Sequence, residues 1–213
     1  MDALALHLYP VSTGTPETAI SQYNAARKQL RLRGVPDSKP YWVTEINYGA
    51  PTGSGGAATP IPSAKQAAYV IRTYLLNASR GAKRIHWYAW DMSRTPGGGT
   101  RGSVLMTNPD DGTTISAGGR AFALVRGWML GTTLVGPSKS TRPCTKSSTG
   151  VWTCVLRYGA GVRRVYWHPT KRVKVTTAKS ATFMVRGDGK RTKIKGGSKQ
   201  YVGYLPLMVR SRR

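Results

Sequence analysis

The stretch YWVTEINYG, residues 41–49, places one acidic residue in a run of strand-forming side chains. Tyrosine, tryptophan, valine, threonine and isoleucine all favour β-strands. Glutamate, in contrast, occurs in the whole chain only as Glu17 and Glu45. Because side chains alternate along a strand, we expect Tyr41, Val43 and Glu45 to point to the same face. Glu45 is therefore either a buried acid satisfied by backbone groups or a residue with a chemical role at the end of a strand.

Strand and helix patterns alternate on both sides of this stretch. Apolar runs that predict strands lie at residues 3–10 and 84–90, before and after it. Segments with apolar residues at helical intervals begin near Pro16 and near Ser63, and a third covers residues 121–130. This alternation predicts parallel strands joined by crossover helices. The first part of the chain is thus predicted to be an α/β domain of about three strand and helix units.

Capping residues predict where two of these helices begin. Thr15 stands at an N-cap position, followed by Pro16 at the first helical position and by Glu17, whose charge suits the helix dipole. Ser63 and Gln66 have the spacing of a capping box, in which the serine caps the helix and the glutamine bonds back to it. We therefore expect the first helix to begin at Pro16 and the second just after Ser63.

From about Leu134 onward the pattern changes to short β-rich runs separated by turn residues. Closely spaced short strands of alternating polarity are typical of an antiparallel sandwich or a small barrel. We therefore predict two domains, residues 1–133 and residues 134–213, the second being a small antiparallel β-sandwich. The predicted fold class is α/β plus all-β.

Basic residues are concentrated in the second predicted domain. The whole chain carries a net charge of +25, and residues 134–213 contribute +18 of it, with Asp188 as their only acid. Lysine and arginine take alternate strand positions, as at Arg172 and Lys174, so most of the charge should lie on a solvated face. Such a field favours contact with anionic polymers, including acidic cell-wall glycans. The tail has no identifiable nucleic-acid motif, which argues against nucleic acid as the partner.

The only two cysteines, Cys144 and Cys154, flank a turn with the sequence Ser-Ser-Thr-Gly. This spacing predicts a hairpin whose arms place the two side chains opposite each other, and favours a disulfide over two free thiols. A disulfide closing so short a loop stabilises by about 2 to 3 kcal/mol and implies an oxidising compartment. The histidines show no metal-ligand spacing to this pair, and we expect neither a metal nor a cofactor.

Polar and aromatic residues stand at the carboxyl ends of the three predicted parallel strands, where active sites of α/β folds gather. The first strand ends in His7 and Tyr9, the second in Glu45 and Asn47, and the third in Trp87, Tyr88 and Trp90, with Asp91 just after them. Histidine and tyrosine can donate hydrogen bonds to a carboxylate, and sugars stack on flat aromatic rings. A carboxylate stabilises the positive charge of a glycosyl transition state. We therefore predict a carbohydrate site with Glu45 as the catalytic residue and its neighbours as substrate-binding residues.

At these residues the sequence resembles the (β/α)8-barrel glycoside hydrolases of clan A, which retain anomeric configuration. The motifs are His-x-Tyr ending one strand, Trp-Val-Thr-Glu ending the next and a Trp-rich third strand, which look like strands six to eight of that barrel. The resemblance implies that Glu45 is the nucleophile, that His7 and Tyr9 support it, and that Trp87 or Trp90 lies beneath the sugar. The tail resembles the small β-sandwich often appended to such enzymes.

The sequence also departs from this family. It contains no Asn-Glu dipeptide, the family's acid/base motif, and its first ~130 residues are too few for a TIM barrel of about 250. The chain therefore looks like the carboxy-terminal part of a secreted enzyme, a partial barrel that we expect to be inactive alone on its carbohydrate substrate. It shows neither a signal peptide nor an apolar run that could span a membrane. The alternative function is a basic binding module for anionic polymers or glycans.

Overall fold

The computed structural model of the chain describes residues 2–49, 59–91, 103–108, 110–136 and 142–212. The chain divides into two compact units, residues 1–119 and residues 120–213. This division lies within the third helix, whereas the sequence pattern places the domain boundary after residue 133. The assignment of separate domains to residues 1–133 and 134–213 stays a prediction.

Within the described residues, the first unit contains a parallel sheet with helices between its strands. Its elements are β1 (Leu4–Leu8), α1 (Pro16–Leu32), β2 (Tyr41–Ile46), α2 (Ser63–Ser79) and β3 (Ala82–Trp87), followed by α3 (Ala117–Met129), which crosses the division. The strands pair in the order β1-β2-β3 and both pairs are parallel, which confirms the predicted crossover connections. None of the helices in the described ranges is long and apolar enough to cross a bilayer.

Helix α1 begins where its sequence predicts. Thr15 is the N-cap, and its hydroxyl accepts a hydrogen bond from the Thr18 amide, while Pro16 is the first helical residue. The helix ends at Leu32, and Gly34 follows with a φ of 80°. Glycine adopts this left-handed conformation at little cost, so it ends a helix well.

The predicted capping box at the start of α2 is wrong. Ser63 is the first residue of the helix rather than its cap, and Pro62 is the N-cap, with no side-chain hydrogen bond. The Gln66 amide donates to the Ile61 carbonyl at 3.1 Å and so holds the chain that leads into the helix. Because the ring of Pro62 fixes its φ, the chain can enter the helix directly after it. The helix therefore begins at Ser63, one residue earlier than a serine cap would place it.

One face of the parallel sheet packs against α1 and α2. Tyr41, Val43 and Ile46 of β2 are at most 2% exposed. The Tyr41 ring meets the ring of Tyr23 on α1 edge to face, with 6.0 Å between centroids. Tyr48, which follows β2, bonds through its hydroxyl to that of Thr73 on α2 at 2.8 Å. These contacts of the helices with Tyr41 and Tyr48 fix the position of β2.

A buried ion pair joins the two helices. Arg72 of α2 is only 2% exposed, and its Nε donates to Glu17 Oε1 of α1 at 3.0 Å. A second hydrogen bond runs from Arg72 Nη2 to Glu17 Oε2. The Arg72 guanidinium also lies over the Tyr69 ring, 5.5 Å from its centroid. Glu17 is thus a structural partner of α2 as well as a residue in the first turn of α1.

The second unit is built from antiparallel strands. Its strands are β4 (Thr133–Val135), β5 (Cys144–Lys146), β6 (Trp152–Tyr158), β7 (Gly161–Trp167), β8 (Val173–Thr176), β9 (Ala181–Arg186), β10 (Arg191–Lys193), β11 (Lys199–Val202) and β12 (Leu207–Arg212). The larger sheet pairs in the order β10-β9-β12-β7-β6-β4, with β5 also paired to β6, and the smaller sheet pairs β11 with β8. The short β-rich runs of the tail are therefore confirmed as strands.

Apolar residues of the two antiparallel sheets form one core. Leu207 and Val209 of β12 are buried together with Val202 of β11, and Val173 and Val175 of β8 pack against this cluster. The basic residues that alternate with these valines are exposed, as the sequence predicts: Arg172 and Lys174. The alternation therefore separates an apolar inner face from a charged outer face on the smaller sheet.

The predicted hairpin and disulfide are both confirmed. Cys144 of β5 lies opposite Cys154 of β6 in the antiparallel register, and the two sulfurs are bonded. The turn between them closes with a hydrogen bond from the Ser147 amide to the Val151 carbonyl at 2.8 Å. Gly150 takes a φ of 86° in this turn, which few other residues adopt.

Candidate functional site

Parallel pairing brings the carboxyl ends of β1 and β2 to the same edge of the sheet. In the register of these strands, His7 lies directly opposite Glu45. Tyr9 follows β1, and Asn47 follows β2. The structure therefore brings together His7, Tyr9 and Glu45, which the sequence places at neighbouring strand ends.

Glu45 reaches this position through a β-bulge. The pairing with β1 passes from Val43 directly to Glu45 and leaves Thr44 without a partner. Tyr41, Val43 and Ile46 are accordingly the buried residues of β2, and Glu45 lies outside that row. The expectation that Tyr41, Val43 and Glu45 share one face is wrong, because the extra residue reverses the alternation beyond it.

One carboxylate oxygen of Glu45 is held by its neighbours. The Tyr9 hydroxyl donates to Oε2 at 2.7 Å, and His7 Nδ1 lies 3.6 Å from the same oxygen. Among the described residues, no hydrogen bond to Oε1 is found, and the Glu45 side chain is 32% exposed. The structure thus differs from a buried acid satisfied by backbone groups: a phenol orients a partly exposed carboxylate.

Tyr9 retains its proton strongly in this setting. Burial, the hydrogen bond and charge of Glu45 and the neighbouring Tyr88 raise the pKa of Tyr9 above its ordinary value of 10.0. The Gln22 amide donates to the Tyr9 carbonyl at 3.3 Å and so steadies its backbone. A tyrosine that stays protonated serves as a hydrogen-bond donor to Glu45 rather than as a base.

The raised pKa of Tyr9 predicts a pH dependence of stability. Protonated Tyr9 contributes to the free energy of unfolding in full below pH 10.0, the pKa of tyrosine in the unfolded chain. This contribution is lost as the pH rises from there through the higher pKa of Tyr9 in the folded state. We expect Tyr9→Phe to flatten the loss of unfolding free energy above pH 10.0, and Glu45→Gln to lower the Tyr9 pKa. Urea unfolding of wild type and Tyr9→Phe as a function of pH measures the first effect, and ultraviolet titration of tyrosinate in the three proteins measures the second. An unchanged titration curve in Tyr9→Phe near pH 10.0 is expected, and a lost step there contradicts the assignment.

Asn47 is 2% exposed and uses its whole amide on backbone groups. Its Nδ2 donates to the carbonyls of Tyr88 at 2.6 Å and Val104 at 3.1 Å. Its Oδ1 accepts from the amides of Tyr48 at 2.7 Å and Val104 at 3.0 Å. An asparagine side chain offers two donors and two acceptor sites, so none is left for a ligand. Its role as a substrate-binding residue stays a prediction, and its geometry is that of a residue that positions the strand ends.

The two predicted aromatic residues take different positions. The Trp87 indole nitrogen donates to the Val104 carbonyl at 2.7 Å, and its ring packs against Tyr48 and Tyr74, with centroids 5.9 and 6.4 Å away. Tyr74 belongs to α2, so Trp87 lies on the side of the sheet that this helix covers. Trp90 is 54% exposed. The Trp90 side chain is thus the more accessible of the two, whereas Trp87 is half-buried. The sugar-binding role of each stays a prediction.

Tyr88 lies at the end of the third strand, where the sequence places it, but it is not among the predicted substrate-binding residues. Its side chain is 43% exposed and lies close enough to Tyr9 to raise the pKa of that residue. The peptide bond between Tyr88 and Ala89 is cis, and the Tyr88 carbonyl is one of the acceptors of Asn47. The available signal was its place directly after the third strand. Together these residues form a carboxylate oriented by a phenol, with an imidazole and a second phenol nearby.

Comparison with solved structures finds this arrangement of elements in larger proteins. A conserved exported protein from Bacteroides fragilis superposes with a TM-score of 0.60 at 13% identity, over 98% of this chain and 46% of that one. The β-porphyranase of glycoside hydrolase family 86 from Bacteroides plebeius gives 0.55 at 12% identity, over 100% and 41%. The family 30 subfamily 8 xylanase Xyn30A from Clostridium acetobutylicum gives 0.53 at 9% identity, over 99% and 49%.

Sequence comparison adds no closer relation. No protein-family model and no curated protein matches the chain. At identities of 9–13%, the structural likeness shows a shared fold and nothing finer. The chain spans less than half the length of each of these three structures. Its fold is a mixed α/β fold shared with part of known glycoside hydrolase structures.

Proposed function

We propose that this chain is the carboxy-terminal part of a retaining glycoside hydrolase and that Glu45 is the nucleophile. The observation that carries the proposal is the Glu45 carboxylate at a parallel strand end, with Oε2 bound by Tyr9 and Oε1 without a bond from the described residues. The fold shared with glycoside hydrolases supports the same reaction class. The substrate is an O-glycosidic bond of a poly- or oligosaccharide.

The chemistry assigns separate tasks to the two oxygens of Glu45. Oε1 attacks the anomeric carbon and forms a glycosyl ester as the bond to the leaving oxygen breaks. The Tyr9 hydroxyl holds Oε2, with the His7 imidazole 3.6 Å away, and this keeps the carboxylate oriented along the line of attack. Water then attacks the same carbon, releases the sugar and regenerates the carboxylate. Trp90, whose ring is exposed, is proposed as the platform beneath the sugar.

Retaining hydrolysis also needs a proton donor about 5 to 5.5 Å from the nucleophile. Glu17 is paired with Arg72 between the helices and is therefore committed to structure. We propose that a glutamate outside this chain protonates the leaving oxygen, and that this chain alone does not hydrolyse glycosides. In this proposal the parallel sheet is three strands of a larger (β/α)8 barrel, and the antiparallel unit is an accessory β-sandwich.

The intact protein is proposed to be secreted. The Cys144–Cys154 disulfide fits an oxidising compartment, because such bonds are rare in reducing cytosol. An exported protein is among the structures with this fold. Secretion also agrees with a substrate that is an extracellular polysaccharide.

Binding of iminosugars tests the role of Glu45 without a proton donor. These sugar analogues are protonated at neutral pH and place a positive charge where the transition state carries one. We expect a member of a panel of monocyclic iminosugars to bind the 213-residue chain. Glu45→Gln should weaken that binding about 10- to 100-fold, the value of a charge-assisted hydrogen bond. Isothermal titration calorimetry, or chemical-shift titration for weak binding, measures the change.

Asp37→Asn is the matched control for this experiment. It removes the same charge from the same unit, but Asp37 pairs with Arg27 and Arg31 before β2 begins, at the opposite end of the strand from Glu45. The affinity of this variant for the iminosugar should stay within about twofold of wild type, because exposed ion pairs contribute little energy. Failure of the whole panel to bind, or equal losses in both variants, would contradict the proposal. Turnover of an aryl glycoside by this chain would show that its proton donor lies within it.

A further inference from the structure

The outer face of the smaller antiparallel sheet carries a tyrosine between basic side chains. Tyr201 of β11 lies opposite Lys174 of β8, and both are exposed, Tyr201 to 51%. Arg172 precedes β8 and is exposed on the same face. Val173 and Val202, which alternate with these residues, point into the core. We call Arg172, Lys174 and Tyr201 the Tyr201 face.

Both cations of this face lie over the ring of Tyr201. The Arg172 guanidinium carbon lies 4.2 Å from the Tyr201 ring centroid, and Lys174 Nζ lies 5.1 Å from it. A guanidinium that stacks through its flat side still presents its N–H groups at its edge. Because the ring limits the rotamers of the arginine, less entropy is lost when those N–H groups bind a planar anion.

A groove of about 490 Å³ adjoins the Tyr201 face. It is lined by Lys171, Arg172, Arg186, Tyr201 and Tyr204, among others. Tyr204 is 38% exposed, so a second aromatic ring is accessible beside the cations. A cavity of this size holds a small ligand or one to two sugar rings, since ligand sites run from roughly 300 Å³ upward.

The loop that carries Lys171 is held in place by a buried histidine. His168 is 7% exposed, and its Nδ1 accepts hydrogen bonds from the amides of Thr170 at 3.2 Å and Lys171 at 2.9 Å. The His168 amide donates to the Gly203 carbonyl at 2.8 Å and ties this loop to the segment that carries Tyr204. The two walls of the groove are thus joined, and its polar groups are positioned before a ligand arrives.

The cations of this region have almost no acidic partner in their own part of the chain. Asp188 is the only acidic side chain in residues 134–213, and its Oδ2 lies 3.5 Å from Arg186 Nε. Within the described residues of the second unit, Arg172, Lys174 and Lys171 form no salt bridge. These three side chains therefore have no carboxylate counter-charge among the described residues.

We propose that the Tyr201 face and its groove bind the carboxylate or sulfate groups of an acidic polysaccharide. The unpaired cations favour an anion, and the exposed Tyr204 provides a flat surface for a sugar ring beside them. The choice of a saccharide over another polyanion rests on the proposed function, whereas the choice of an anion rests on the charges of the groove. A second groove, lined by Tyr158, Phe183 and Arg210, offers only half-buried rings, whereas Tyr201 and Tyr204 are exposed.

A pair of polymers with one backbone tests the requirement for charge. Polygalacturonate carries a carboxylate on each sugar, and its methyl ester carries none. We expect the whole 213-residue chain to bind polygalacturonate at least about tenfold more tightly than the ester, the value of one charge-assisted hydrogen bond. Surface plasmon resonance or affinity electrophoresis measures the ratio. Equal binding of the two polymers overturns the proposal.

Two double variants with the same loss of charge test the location. Arg172→Gln/Lys174→Gln alters the Tyr201 face, whereas Lys146→Gln/Arg157→Gln alters exposed strand residues outside both grooves. The first variant should lose at least about tenfold in affinity for polygalacturonate and the second less than about threefold. Equal losses indicate a response to net charge and overturn the site. All four residues are exposed, so thermal unfolding should be unchanged.

A third variant separates the ring from the charges. Tyr201→Leu keeps every cation but removes the surface on which Arg172 is stacked, and we expect a loss of about 3- to 10-fold. Tighter binding of a DNA duplex than of polygalacturonate, with the same dependence on Arg172 and Lys174, overturns the choice of a saccharide. The polygalacturonate assay depends on Arg172 and Lys174, whereas the iminosugar assay depends on Glu45. This experiment can therefore fail while the proposed role of Glu45 stands, and the reverse also holds.

Discussion

Replacing Asn47 with alanine should lower the free energy of unfolding by at least about 3 kcal/mol, because each buried backbone group left without a partner costs roughly 1 to 3 kcal/mol. The amides of Tyr48 and Val104 and the Tyr88 carbonyl lose their bonds to this side chain. The Val104 carbonyl keeps the bond from the Trp87 indole and is affected less. Urea denaturation of wild type and variant measures the difference.

Asn77→Ala is the matched control for this prediction. Asn77 is fully buried like Asn47, but its Nδ2 donates only to the Thr73 carbonyl one helical turn away, and its Oδ1 has no partner among the described residues. We expect this variant to cost about 1 to 2 kcal/mol less than Asn47→Ala, because it leaves fewer groups unpaired. Equal losses would mean that Asn47 acts only by filling space.

Asn47→Asp adds a pH dependence with a defined sign. The new carboxyl would face the carbonyls of Tyr88 and Val104, which can accept only from its protonated form. Its pKa in the folded state should therefore rise above the unfolded value of about 3.9. The stability of this variant should be highest below that value and fall as the pH rises through the higher folded-state pKa. Asn47→Ala should show no such trend.

Local patterns predicted the elements of this fold better than the contacts between them. Thr15 and Pro16 predicted the start of α1, since a cap and a fixed φ act within one turn. The cysteine spacing predicted a hairpin for the same reason. The start of α2 was misjudged because Pro62 and Ser63 compete for neighbouring positions, and the serine pattern alone does not decide between them.

The candidate site was predictable only as far as strand ends could be placed. Parallel strands end at one edge, which predicted that His7 and Glu45 would meet. The bulge at Thr44 arises from the pairing of β2 with β1, and the sequence of β2 alone does not predict it. The bonds of Asn47 to Val104 span 57 residues, so the sequence could mark it as polar at a strand end but not as buried. Long-range partners thus decided which polar residues at the strand ends stay exposed and which hold the backbone.

The Glu17–Arg72 pair should give the largest loss of stability of any single side chain described. Glu17→Ala leaves the guanidinium of Arg72, which is 2% exposed, without its partner. Breaking a buried pair in this way costs about 3 to 5 kcal/mol. Arg72→Met should cost less, because Glu17 is 18% exposed, lies in the first turn of α1 and regains water when its partner is removed. Thermal and urea unfolding of both variants tests the order.

The double variant Glu17→Ala/Arg72→Met distinguishes a lost partner from a lost contact. If the cost of Glu17→Ala comes from the unpaired guanidinium, removing that cation as well should recover about 1 to 3 kcal/mol. Additive losses would show instead that each side chain stabilises by packing alone. The pair joins the helices that follow β1 and β2, the strands that carry His7 and Glu45. Iminosugar binding by Glu17→Ala can be measured at temperatures where the variant stays folded. Weaker binding there would show that the Glu17–Arg72 pair keeps the Glu45 carboxylate in position beside Tyr9.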